Sequence, residues 1–101
     1  MSQAKLTLSC PQTLAEQVTE YLVDHESVTT GFITVVAHSH GCDFASATLR
    51  ELVRGRVQST LLIMILPVSH VTPLLAELRQ KFRAPRMLYW TEPVHEFGDF
   101  S

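Results

Sequence analysis

The stretch Thr60-Leu61-Leu62-Ile63-Met64-Ile65-Leu66, closed by Pro67, decides the fold. Its length, its β-branched residues and its proline boundary read as a strand, starting near Arg56. Successive strand residues point to opposite faces of a sheet. Leu61, Ile63 and Ile65 therefore share one face, and Leu62, Met64 and Leu66 share the other. Both are apolar. A strand with one wet side alternates apolar with polar residues, so this one asks for cover on both sides. The run from Leu61 to Leu66 is far short of the ~20 residues that span a bilayer.

Outward from this strand the chain reads as follows. Lys5-Leu6-Thr7-Leu8-Ser9 alternates and suits a short first strand. Pro11 fits the first turn of a helix over about residues 12 to 25, with Leu14, Val18, Tyr21 and Leu22 on its apolar face. The β-branched and aromatic run Thr29 to His38 is a second strand. Residues 39–44 read as a loop around Gly41, and Ser46 starts a short helix that stops at Gly55. After the third strand, Val71, Leu74, Leu75, Leu78 and Phe82 mark a second long helix. Ser69 or Thr72 is its expected cap, Pro73 its first-turn proline and Pro85 its end. Arg86 to Val94 forms the last strand.

The order β-α-β-β-α-β is the ferredoxin-like arrangement of an α+β domain. It predicts a four-stranded antiparallel sheet with two helices on one face, over a single domain of residues 1–101. Two helices on one face leave the other face of the third strand bare. The second strand has the same double pattern, with Ile33, Val35 and Ala37 on one side and Phe32 and Val36 on the other. Exposed apolar patches of that size mark interfaces. The expectation is an oligomer packed through the free sheet face, the alternative being cover from the tail or from residues 39–55.

Composition agrees. The chain has 101 residues, 46% hydrophobic and only 18% charged, against about 25% charged in an ordinary domain. It carries 8 basic and 10 acidic side chains, a formal charge of -2. That balance gives no bulk attraction to nucleic acid or to anionic lipid. MSQAKLTLSC has no apolar core of a signal peptide, and two cysteines without such a signal point to a cytoplasmic protein without a structural disulfide.

The opening Leu6-Thr7-Leu8-Ser9-Cys10-Pro11, the Gly31-Phe32 pair, the His40-Gly41 loop, the Gly55-Arg56 step and the Tyr89-Trp90 pair, in that order, resemble a PII-like family of about a hundred residues. Members of this family are often encoded beside heavy-metal efflux pumps. The CutA-type cation-tolerance proteins are similar at a greater distance. The resemblance implies a homotrimer with a central sheet lining and a regulatory role without catalysis. It also raises an efflux-pump protein as a partner. The chain departs from PII signalling proteins in its short 39–55 connection. It departs again at Phe82-Arg83-Ala84-Pro85-Arg86, where they carry a glycine-rich phosphate grip. Nucleotide binding is in doubt on that ground.

Two candidate sites stand out. His38, His40, Cys42 and Asp43 offer imidazole, thiolate and carboxylate donors suited to zinc or copper. The competing reading is a polar loop. Arg50, Arg54 and Arg56 form a guanidinium group on and after the short helix, suited to phosphate or carboxylate. Its competing reading is pairing with Glu16, Glu20 or Glu51. Arg79, Lys81, Arg83 and Arg86 read as a solvated helix end. An acylphosphatase-type enzyme is disfavoured because Ser9-Cys10-Pro11-Gln12-Thr13 has neither glycine nor arginine. RNA recognition is disfavoured because the first and third strands lack the aromatics on which bases stack. Two readings remain: a PII-like oligomeric regulator or adaptor, and a Cu/Zn sensor or buffer.

Overall fold

The computed structural model describes residues 2–40, 56–83 and 86–101, with backbone alone at 56 and 57. Its elements are β1 (Gln3–Pro11), α1 (Gln12–Val23), β2 (Phe32–His40), β3 (Arg56–Pro67), α2 (Val68–Lys81) and β4 (Leu88–Val94). The strands form one sheet in the order β2-β3-β1-β4, antiparallel at every junction. Both helices pack on one side of β1 and β3. This is the ferredoxin-like β-α-β-β-α-β fold expected from the sequence.

The register explains which side is covered. Leu6 pairs with Met64 and Thr91, and Leu8 with Leu62 and Tyr89. Directly paired residues share a face. Ala4, Leu6, Leu8 and Cys10 on β1, with Leu62, Met64 and Leu66 on β3, are all buried beneath the helices. Val18 and Leu22 of α1 and Val71, Leu74, Leu75 and Leu78 of α2 close the core from above. Gly31, at φ 78°, makes the turn into β2 in a conformation that side chains disfavour.

Several boundaries differ from the sequence reading, each for a local reason. Pro11 ends β1 rather than opening α1: its ψ of 146° is extended, and its fixed φ suits either role. Helix α1 stops at Val23, two residues before His25. Strand β2 runs to His40 because Ala37, His38, Ser39 and His40 each find a partner on β3. Polar side chains there hid a continuous ladder. Helix α2 starts at Val68, earlier than either a Ser69 or a Thr72 cap would give, with Pro67 at its N-cap and no side-chain cap. The Val68 amide instead donates to the Ser2 carbonyl, 3.1 Å away. Pro73 consequently lies inside the helix, beyond the first turn. Helix α2 ends before Pro85, which lies outside the described residues.

Leu62 sits at the centre of the core with no exposure. Leu62→Ala is expected to lower the unfolding free energy by about 2–5 kcal/mol, the usual range for such a cavity. Urea denaturation followed by circular dichroism checks this.

Candidate functional site

Three regions carry chemistry. The first is the face of the sheet opposite the helices. Trp90, Thr7, Ile63 and Ile33 form one row across the four strands, and Leu88, Ser9, Leu61 and Val35 form the next. Ile33 is 62% exposed, Leu88 59% and Trp90 43%. Thr7 and Ser9 are buried between their larger row neighbours. Ser39 and Ser59 share a hydroxyl hydrogen bond of 3.0 Å at one end. Lys5 and Glu92 pair across the other end at 3.6 Å. These two are the only charged strand residues on this face among the described residues. The remainder of the central surface is aliphatic and indole. The segment after β4 does not cover it: Phe97 and Phe100 are themselves exposed.

The second region is the donor loop. His38 and His40 lie on one face of β2, opposite Gln58 and Arg56, and both are exposed. The strand thus brings the two imidazoles to one side, as their spacing predicts. Cys42 and Asp43 lie outside the described residues. Among the described residues no group of three or more His, Cys, Asp or Glu converges on one point. Arg50, Arg54 and the side chain of Arg56 also lie outside what is described.

The third region was not read from the sequence. A cavity of about 430 Å³ opens between the end of α2 and the start of β4. Leu75, Leu78, Phe82 and Met87 line it, with Arg79 and Arg83 also on its walls. Arg79 does more than complement the helix dipole. Its Nη2 donates to the Tyr89 hydroxyl at 3.1 Å, and its guanidinium lies 5.5 Å from the Tyr89 ring centre. Arg83 is exposed and makes no ion pair among the described residues. The only sequence signal for this cavity was the cluster of cations before Leu88-Tyr89.

The helices are joined above the sheet by a polar seam. The Ser27 amide donates to His25 Nδ1 at 3.0 Å, which leaves Nε2 to carry the proton. That nitrogen meets Glu77 Oε1 at 3.1 Å, and the Tyr21 hydroxyl donates to the same oxygen at 3.0 Å. Lys81 stands 5.6 Å from the Tyr21 ring centre. The hydrogen bonds from His25 and Tyr21 hold the Glu77 carboxyl below its ordinary value, and the bond to Glu77 raises Tyr21. Cys10 is buried under α1, and burial pushes its thiol up to about 11, so it is protonated at neutral pH.

A family model described as a protein of unknown function, DUF3240, matches residues 1–101. The chain belongs to the DUF3240 family. A solved DUF3240 protein from Shewanella baltica OS155 superposes with a TM-score of 0.79 at 16% identity, covering 100% of this chain and 99% of that one. CPII, a nitrogen regulatory PII-like protein from Thiomonas intermedia K12 bound to ADP, AMP and bicarbonate, gives 0.69 at 17% identity, covering 99% and 98%. A Bacillus cereus protein related to NIF3 gives 0.70 at 17% identity, covering 94% of this chain but 26% of that one. No curated protein matches the sequence. At these identities the solved structures establish a shared fold. The DUF3240 chain is thus related in architecture to PII-like and NIF3-like proteins.

Glu77 offers a pH test. Its folded pKa is depressed, so its contribution to stability is present above the unfolded value of about 4.3 and is lost as pH falls through the lower folded value. Carbon-detected NMR titration is expected to place the Glu77 midpoint below that of an unperturbed glutamate. The stability difference between wild type and Glu77→Gln is expected to shrink as pH drops through that midpoint.

Proposed function

We propose that the protein is an oligomeric regulator or adaptor of PII-like type, assembled through the open sheet face. The observation that carries this reading is the pair of apolar rows centred on Ile63 and Leu61, which no described element covers. A homotrimer fits the PII-like resemblance, with three open faces meeting around one axis. The role is regulation without catalysis, exercised in the cytoplasm by contact with a partner protein, for which a heavy-metal efflux pump is the candidate. CPII supplies the precedent of small anionic ligands in a related fold. The 82–86 segment has no glycine to wrap a phosphate, so a nucleotide is not assigned. Among the described residues no helix is long and apolar enough to cross a membrane.

Light scattering on the purified protein tests the assembly. The wild type is expected at a multiple of the 11.4 kDa chain mass. Ile63→Glu, which plants a charge at the centre of the open face, is expected to reduce it to the monomer. Val68→Glu, at an exposed position on α2, is expected to leave it unchanged. A wild type that scatters as a monomer at every concentration overturns the reading.

A second reading has its own observation: two exposed imidazoles on one face of β2, at the point where the chain leads into Cys42 and Asp43. In this reading the 38–43 segment binds Zn²⁺ or Cu⁺. Calorimetric titration of reduced protein is expected to show uptake that His38→Ala/His40→Ala removes. Equal weak uptake by both proteins contradicts it.

A further inference from the structure

Beyond Val94 the chain continues as His95-Glu96-Phe97-Gly98-Asp99-Phe100-Ser101. This segment pairs two aromatic rings with two acids. Phe97 is 52% exposed and Phe100 108%, so neither ring is covered by its own chain. Asp99 accepts hydrogen bonds from the Ser101 amide and hydroxyl, which give the end of the segment a compact turn. The cavity between α2 and β4 has the complementary character: an apolar floor of Leu75, Leu78, Phe82 and Met87, with Arg79 and Arg83 on its walls. Its volume of about 430 Å³ lies within the ~300–1,000 Å³ of pockets that enclose small organic groups.

The segment cannot seat both of its rings in the cavity of its own chain. The cavity opens at Leu88 and Tyr89, where β4 begins, and the segment leaves from Val94, where β4 ends. At about 3.4 Å per residue these ends are roughly 20 Å apart. Phe97 is three residues past Val94 and reaches about 11 Å at full extension. Phe100 reaches about 22 Å, with no length left to reverse direction. The open sheet face is the poorer host for this segment, because its described strand residues offer a single cation, Lys5, already paired with Glu92. The acids of the segment match the arginines of the cavity.

We propose that residues 95–101 of one copy seat in the α2–β4 cavity of a second copy, with Phe97 and Phe100 on its apolar floor and Glu96 and Asp99 facing Arg79 and Arg83. The contact rests on the oligomeric reading above and adds to it a site that a single chain does not complete. Any ligand that enters the cavity then displaces a neighbour's tail, which couples occupancy to the assembly.

Photocross-linking of the full chain tests this. Phe100 is replaced by p-benzoylphenylalanine, a ring-bearing probe at a fully exposed position that leaves the core untouched. Equal amounts of ¹⁴N and ¹⁵N protein are mixed, irradiated and mapped by mass spectrometry. The expected product joins residue 100 of one isotopic chain to residues 75–89 of the other. Arg83→Glu, or a rise in salt to 1 M, is expected to lower its yield several-fold. Cross-links within one chain only, or to the open-face strands of another, overturn the proposal. Light scattering on the same sample separates the two ideas. An assembled protein without the 75–89 product defeats the tail contact alone, and a monomer defeats the oligomeric reading with it.

Discussion

Everything in this architecture follows from a strand that is apolar on both sides. Leu62, Met64 and Leu66 disappear beneath α1 and α2, together with Ala4, Leu6, Leu8 and Cys10 of the neighbouring strand. Leu61, Ile63 and Ile65 point the other way, and the two helices are already spent on the first face. Burying apolar surface is the main favourable term in folding and in association, and a chain of this size has little left over to cover a second face. The cover we propose for it is another copy. The low charge of the sequence is the composition-level trace of the same fact.

The edges of the sheet add to this picture. Strand β4 carries Pro93, which cannot donate to a further strand. Strand β2 is nine residues long, has no proline, and presents Ile33, Val35 and Val36 exposed. Long apolar edges of this kind are recruited for pairing or protected from it. The α2–β4 cavity lies on the helix side, at the other edge of the sheet. The open face and the cavity therefore lie on opposite sides of the sheet.

The sequence was most legible where hydrophobic period and strand pairing agree. Strand β3 could be bounded residue by residue, and its double-sided character was plain from alternation alone. Tyr89 and Trp90, adjacent on β4, face opposite sides, as strand alternation requires. Legibility fell where polar residues hold a structural place. Ser39 and His40 look like loop but extend the ladder, because the backbone pairs whatever the side chain carries. Pro11 looks like a first-turn residue but sits just before its helix, and Pro73, expected in a first turn, lies beyond it. The candidate sites were harder. Glu77 and His25 are 52 positions apart, and only the packing of α1 against α2 brings them within 3.1 Å. The α2–β4 cavity is likewise a product of tertiary arrangement. Taken singly in the sequence, its residues are helix core, solvated cations or strand.

Trp90 is the only tryptophan of the chain and lies on the open face, beside Thr7 and opposite the helices. Its fluorescence therefore reports directly on whether that face is covered. If copies pack against it, Trp90 of the wild type emits at short wavelength and is shielded from iodide. Dilution below the assembly threshold then shifts the emission red and restores quenching. Emission that stays red and fully quenchable at high protein concentration would contradict the account.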